Sequence, residues 1–143
     1  MSINQISVFL ENRSGQLAEL TRLLADNDID IRAISIAETS DYGLARMIVD
    51  DPQKTSSVLL ASGAVLSMTP VYAVEVPDRP GGLAELLTTF ADGNVDVEYM
   101  YSLFTHQNGC AYMVLRVSDE NALSSALSAH NIRVMSAEEL GIK

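Results

Sequence analysis

The chain has 143 residues, of which 48% are hydrophobic, and this is enough apolar material for one ordinary domain or two small ones. Its 9 basic and 19 acidic residues give a net charge of −10, so most of its surface would repel a phosphate backbone and nucleic acid is not an expected partner. A single cysteine, Cys110, excludes an intrachain disulfide, and with only two histidines beside it no metal or cofactor site is expected.

The sequence shows no sign of a membrane or export segment. No stretch approaches the roughly 18 apolar residues of a membrane span, and residues 1–12 lack the basic start and long apolar core of a signal peptide. We therefore expect a cytoplasmic protein that makes no contact with a membrane.

One phrase occurs twice in the chain. Residues 12–20 read NRSGQLAEL and residues 78–86 read DRPGGLAEL, and placing Asn12 on Asp78 aligns two copies that share nine identical pairs. Because the unit occurs only twice, it predicts paired domains at 1–69 and 70–143 rather than a solenoid. The same alignment places Gly43, Ala45 and Met47 on Gly109, Ala111 and Met113. In the last third of each copy the alignment is less regular, which indicates an insertion of about one residue.

Each copy predicts the same elements in the same order. Alternating apolar residues, such as Ile6, Val8 and Leu10, predict a first strand. After the shared turn, an amphipathic helix is predicted from apolar residues on one face, namely Leu17, Leu20, Leu24 and Ala25, matched by Leu83, Leu86, Phe90 and Ala91. A second strand, a third strand, a second helix and a last strand are then expected, in that order. Their ranges are near 29–38, 44–50, 53–62 and 64–69 in the first copy, and near 95–105, 110–117, 119–130 and 132–136 in the second.

Local signals mark the boundaries of these elements. Asn108-Gly109 predicts a tight hairpin turn, and the residues SDYG at 40–43 give a weaker signal for the equivalent turn. Asp119 is predicted as an N-cap, and Pro70 marks the join between the copies. The order is βαββαβ twice, which predicts an α+β fold of two ferredoxin-like domains in tandem, each an antiparallel sheet with its helices on one face.

The third strand is apolar on both faces. Leu44 and Ile48 lie on one side, and Ala45, Met47 and Val49 lie on the other. Since the helices of such a unit cover only one face, the other face is expected to be covered by the second copy or by a homodimer partner.

The repeated turn feeds a helix, which leaves the first backbone N–H groups of that helix pointing outward at the positive end of its dipole. Gly15, Gly81 and Gly82 carry no β-carbon, so a ligand carboxylate can approach this backbone, and a side-chain oxygen of Asn12 or Asp78 can accept from an ammonium group. The alternative is purely structural, because Asn12, Ser14 and Asp78 are good capping residues, Pro80 suits the first position of a helix, and the turn arginines can pair with neighbouring acids.

The order of strand, D/N-R-x-G-x-L turn and helix leading to N-V/I-D-I/V, within about 65 residues, resembles the ACT domain, a small regulatory amino-acid-binding module. The second copy, PDRPGGLAELLTTFADGNVDV, is close to the usual pattern, whereas the first has Asn12 for the acidic residue and Ser14 for the proline. The resemblance covers nearly the whole chain and implies a stand-alone tandem ACT protein without a catalytic domain.

In ACT domains generally, the ligand lies between two modules and touches this turn of one module and the second strand of the other. Carried over by position, the resemblance implies ligand contacts from Asn12, Arg13, Ser14, Gly15, Gln16, Leu17, Ser35, Ile36 and Ala37, and from Asp78, Arg79, Pro80, Gly81, Gly82, Leu83, Tyr101, Ser102 and Leu103. Solvated serines and packed tyrosines remain the structural alternatives at the strand positions.

The expected function is that of a non-catalytic amino-acid sensor, and a homodimer is expected. The ligand would favour one arrangement of the modules, and an enzyme of amino-acid metabolism could bind or respond to that arrangement. No nucleophile with a nearby base, phosphate loop or metal-ligand spacing supports an enzyme. The alternative is a regulatory or structural subunit that binds an enzyme without a small-molecule ligand. Which amino acid binds, and whether one or both copies bind it, stay open.

Overall fold

The computed structural model describes residues 1–38 and 41–143, so part of the predicted SDYG turn lies outside the described residues. The described chain forms seven strands and four helices in two compact units. We call residues Asn4–Thr69 with Gly141–Lys143 the first module, and residues Met1–Ile3 with Pro70–Leu140 the second module.

The elements follow the predicted order in both modules. They are β1 (Ile3–Glu11), α1 (Gln16–Asp26), β2 (Ile31–Glu38), β3 (Tyr42–Val49), α2 (Pro52–Ala61), β4 (Leu66–Pro77), α3 (Gly82–Asp92), β5 (Val97–Gln107), β6 (Cys110–Val117), α4 (Glu120–Ala129) and β7 (Val134–Met135). The predicted α+β fold of two βαββαβ units is confirmed. None of the helices in the described ranges has the length and apolar character needed to cross a membrane.

Each module contains antiparallel strand pairs in the same arrangement. In the first module, β3 pairs with β2 on one side and with β1 on the other. In the second module, β6 pairs with β5 and β4, and β4 also pairs with β7. An equivalent backbone bond joins the first strand of each module to the residue just before its last strand, from Phe9 N–H to the Val65 carbonyl at 2.9 Å and from Glu75 N–H to the Arg133 carbonyl at 3.0 Å.

The register of the second hairpin corrects the sequence alignment. Ile6 pairs with Met47, and its counterpart Tyr72 pairs with Leu115, so the structural counterpart of Met47 is Leu115 and not Met113. The matches of Gly43, Ala45 and Met47 with Gly109, Ala111 and Met113 are therefore wrong, and the insertion is two residues rather than one. It lies in the β5–β6 hairpin, where the register shifts between Ser102 and His106.

The hairpin turn itself is as predicted. Asn108 and Gly109 both have positive φ, at 53° and 72°, as a tight turn between two strands requires. Asp119 caps α4 by accepting from the N–H groups of Asn121 and Ala122, and Asp51 caps α2 in the same way through Lys54 N–H. The sequence analysis predicted the cap at Asp119 and missed the one at Asp51.

The helices of each module bury an apolar stripe against one face of its strands. In the first module Leu20, Leu24 and Leu59 pack on Ile6 and Met47, and the second module repeats this core around Leu86, Phe90, Leu115 and Leu123. The predicted helical face is partly wrong, because Leu17 and Leu83 remain 41% and 42% exposed, and Ala25 and Ala91 are exposed as well. The two leucines lie in the first turn of each helix, beyond the edge of the buried stripe.

Pro70 does not end a strand. β4 runs through it from Leu66 to Pro77, and the exposed Pro70 uses its carbonyl to accept a bond from Arg116 Nη1 at 2.9 Å. Proline lacks only the N–H donor, so it is tolerated in a strand where no partner needs that donor. On the face opposite the helices, Ala33, Ile48 and Val114 each have no exposed surface.

Candidate functional site

Both repeated turns end at a glycine in the left-handed conformation. Gly15, with φ 83°, precedes α1, and Gly81, with φ 87°, precedes α3. Both are N-cap residues, and neither N-cap position makes a side-chain hydrogen bond to its helix. The N-cap residue of each helix is therefore this glycine and not Asn12, Ser14 or Asp78. Pro80 also lies before the cap rather than at the first helical position. Each start needs glycine because other residues rarely adopt this backbone conformation.

The space beside these two glycines is open. A β-carbon added at Gly15 or Gly81 would meet no heavy atom within 4 Å, so the chain's own side chains do not seal either turn. Gly82 is different, because a β-carbon there would lie 2.1 Å from the Pro77 carbonyl oxygen. Gly82 therefore serves close packing, whereas Gly15 and Gly81 leave the backbone accessible.

Two backbone N–H groups in the first turn of α3 lack acceptors among the described residues. Gly82 N–H donates to the Arg79 carbonyl and Glu85 N–H to the Gly81 carbonyl, at 3.0 and 2.9 Å. Between them, the N–H groups of Leu83 and Ala84 have no acceptor in the part of the chain that the structure describes. At the start of α1, Glu19 N–H donates to the Gly15 carbonyl at 3.0 Å, as Glu85 does to Gly81 in α3. Both starts present the positive end of a helix dipole.

The arginine and glutamate of the repeated phrase bind each other. Arg13 donates to both Glu19 oxygens at 3.1 and 2.7 Å, and Arg79 donates to both Glu85 oxygens at 3.1 and 2.9 Å. The hydrogen bonds from Arg13 hold the pKa of Glu19 below its ordinary value. This pairing with a neighbouring acid is the structural alternative that the sequence analysis left open, and it explains why both residues recur in each copy.

The second-strand residues of the first module lie at the same end of the sheet as the turn. Ala37 pairs with Leu44, and Leu10 at the end of β1 pairs with Gly43, so β3 separates β2 from the turn. Ser35 and Ala37 are half-buried, and Ile36 is 42% exposed. The structure therefore brings these residues near the level of the turn but does not place them against it within one module.

The corresponding residues of β5 are less accessible. Tyr101 and Leu103 are buried, with 8% and 3% of their surface exposed, whereas Ser102 is exposed. Tyr101 is therefore a packed residue in this chain, as the structural alternative for this tyrosine expected. Ser102 is the one member of the predicted strand trio in β5 that a ligand can reach directly.

A groove that the sequence analysis missed lies beside each first helix. The first-module groove, of about 420 Å³, is lined by Val8, Phe9, Leu10, Glu11, Arg13, Gln16, Glu19, Leu20, Leu23, Leu59, Ser62, Gly63, Ala64 and Val65. The second-module groove, of about 500 Å³, is lined by Glu75, Pro77, Gly82, Glu85, Leu86, Thr89, Cys110, His130, Asn131, Ile132 and Arg133. The only signal for either groove was the duplication, because the lining joins segments that are far apart along the sequence.

The second-module groove contains a half-buried carboxylate. The Glu75 side chain is 23% exposed, and its Oε2 atom lies 3.9 Å from Arg133 Nη1, beyond hydrogen-bonding distance. The Cys110 thiol donates to Glu75, and this bond, together with burial, raises the pKa of Cys110 above its ordinary value. Arg133 is held instead by the Glu139 carboxylate.

The described fold and the two open turns agree with a family match over nearly the whole chain, since the ACT domain pair family matches residues 1–142. The chain belongs to the ACT domain pair family. The predicted membership is thereby confirmed, and the two modules are ACT modules.

Solved structures with the same fold include close and distant examples. The chain is similar to protein BT0572 from Bacteroides thetaiotaomicron, with 35% identity, a TM-score of 0.90, and coverage of 99% of this chain and 96% of that one. The regulatory subunit of aspartate kinase from Thermus thermophilus, in its ligand-free form, shares 18% identity with a TM-score of 0.65 over 90% and 91% of the two chains. That from Thermus flavus shares 17% with a TM-score of 0.62 over 90% of each. A search of curated protein sequences gives no match.

Proposed function

We propose that this ACT domain pair is a non-catalytic regulatory protein that binds a free amino acid at interfaces between ACT modules, beside the strand-to-helix turns. The observation that carries the proposal is the paired, uncapped helix start, which is open at Gly15 and Gly81 in both modules. A stable fold does not need two such starts, because an ordinary capping side chain would satisfy the same N–H groups.

The chemistry of these starts suits a zwitterion. The N–H groups of Leu83 and Ala84 would donate to the ligand carboxylate, favoured by the helix dipole. The exposed Asp78 carboxylate at the same turn would accept from the ligand ammonium, and Asn12 would take that role in the first module. Arg13 and Arg79, which are paired with Glu19 and Glu85, would shape the turn rather than clamp the ligand.

Regulation would follow from differential binding. A ligand held between two modules favours the arrangement that completes its site, and the shift it produces is limited by its difference in affinity between arrangements. A homodimer would offer further interfaces of the same kind. A partner enzyme of amino-acid metabolism would then respond to the favoured arrangement.

A thermal-shift screen against the twenty amino acids tests the proposal. We expect one or a few to raise the melting temperature, and we expect Gly81→Ala and Gly15→Ala to weaken that rise, because each puts a β-carbon beside the bound carboxylate. Gly109→Ala is the matched control, since Gly109 also has positive φ, 72°, and open space where a methyl group would lie, but it belongs to a hairpin. No shift with any amino acid, or equal losses in all three variants, would refute the proposal.

A second candidate is a subunit that binds an enzyme without a small-molecule ligand. It is favoured by Leu17 and Leu83, which are exposed at the same position in both modules although both are large and apolar. Such a pair can form part of a protein interface. A stoichiometric enzyme complex that amino acids leave unchanged, and that Leu17→Ser with Leu83→Ser disrupts, would select this candidate.

A further inference from the structure

The two grooves occupy the same place in the fold but differ in chemistry. By the equivalent backbone bonds, Phe9 corresponds to Glu75 and Val65 to Arg133. The same correspondence along the groove pairs the first-module residues Leu23, Ser62 and Gly63 with the second-module residues Thr89, His130 and Asn131. The first-module groove also has polar lining residues, namely Glu11, Arg13, Gln16 and Glu19. At the five paired positions, however, it carries an apolar or small residue where the second module carries a polar one.

Glu75 is the half-buried carboxylate of the second-module groove, and its ion pair with Arg133 is a long one. Its half-buried carboxylate receives a thiol hydrogen bond from Cys110, which is a weak donor, and lies 3.9 Å from the nearest Arg133 nitrogen. A partly desolvated carboxylate without a charge-assisted hydrogen bond is costly to keep. The other groove carboxylate, Glu85, is already satisfied by Arg79.

The remaining features of the groove favour a small cation. Its volume of about 500 Å³ lies in the range of small-molecule sites, and Leu86, Ile132 and Pro77 provide an apolar wall for a short carbon chain. Arg133 is engaged by Glu139, so it does not offer a free charge to an anion. The net charge of −10 also raises the local concentration of cations around the chain.

We propose that the second-module groove binds a small molecule carrying a primary ammonium or guanidinium group, with the Glu75 carboxylate as the residue that receives it. The first-module groove has Phe9 in place of the carboxylate and does not bind such a group. Gly82 and Glu85 of the α3 start line this groove, but the site differs from the helix start in chemistry, because an amine without a carboxylate gains nothing from the unpaired N–H groups.

Calorimetric titration with putrescine and agmatine, at matched ionic strength, tests this site independently of amino-acid binding, since neither probe has a carboxylate. We expect saturable binding of one of them to the whole chain, weakened about tenfold or more by Glu75→Gln because the charge-assisted bond is lost. Glu138→Gln removes the same charge at an exposed position outside the groove and should leave binding unchanged.

One further variant and a stability measurement separate loss of the groove carboxylate from loss of the fold. Cys110→Ser keeps a donor beside Glu75 and should retain binding, and the melting temperature of each variant reports that it is folded. Absence of saturable binding to the unaltered chain, or equal weakening by Glu75→Gln and Glu138→Gln, would overturn the proposal.

Discussion

The arginine that recurs in both copies, Arg13 and Arg79, has the same structural partner in each. Each guanidinium bridges the turn to a glutamate six residues later, at 2.7 Å for Arg13 and 2.9 Å for Arg79. Both partners are largely exposed, so the pair adds little to global stability. Its effect is local, since each pair joins two residues only six positions apart across the turn.

The environment of Cys110 changes the ionisation of its thiol. Its thiol pKa is raised first by the hydrogen bond to Glu75 and then by burial, so less thiolate is present at a given pH than for an ordinary cysteine. We predict that alkylation by iodoacetamide rises with pH later than for a free thiol, and that Glu75→Gln moves this curve to lower pH because the largest cause is removed.

Mass spectrometry measures this directly, because the chain has one cysteine. Glu138→Gln serves again as the control with the same charge change and no contact with the thiol. A pH curve that is the same in Glu75→Gln and in the unaltered chain would show that the carboxylate does not control the thiol.

The start of α3 shows what an element requires of one position. A β-carbon at Gly82 would lie 2.1 Å from the Pro77 backbone oxygen, whereas the equivalent position at the start of α1 carries Gln16. We predict that Gly82→Ala lowers the free energy of unfolding by about 1–3 kcal/mol, because the helix start must move to accept the methyl group. Urea unfolding measures the change.

Gln16→Ala is the matched variant in the first module. It shortens a side chain at the same position without creating a clash, so its expected cost is at most about 1 kcal/mol. Equal costs for the two variants would mean that the α3 start relaxes freely and that Gly82 is not required for packing there.

At the scale of the whole molecule, the last three residues belong with the first module although they follow the second in the chain. Lys143 N–H donates to the Asp50 carbonyl at 2.7 Å, and Ile142 is 8% exposed. We predict that Ile142→Ala lowers the stability of the first module by about 2 kcal/mol or more through the cavity it leaves. Hydrogen exchange should therefore speed up in residues 4–69.

Ile132→Ala is the matched control, because Ile132 packs against the core of the second module. It should speed exchange in residues 70–140 instead. The predicted boundary of 70–143 for the second domain stays a prediction until this pair is measured. Faster exchange confined to the second module in Ile142→Ala would support that boundary and contradict the assignment of the chain's end to the first module.

Much of the architecture could be predicted from local pattern. The strand alternation around Ile6, the helical stripe around Leu20 and the Asn108-Gly109 turn each depend on a few neighbouring residues, so they appear in the sequence itself. The correspondence of Met47 with Leu115 could not be found in this way, because the chance identity of Met47 and Met113 hides an insertion that only strand pairing reveals.

The sequence by itself determined the duplication, the βαββαβ order and the two glycine turns, because repeated spacing and short-range backbone preferences are written along the chain. The tertiary structure alone decided that Leu17 and Leu83 remain exposed, that each turn arginine is held by a glutamate, and that Glu75, Cys110 and Arg133 meet beside one groove. Burial and charge pairing depend on which distant segments pack together, and that information becomes explicit only when the sheet and helices are assembled.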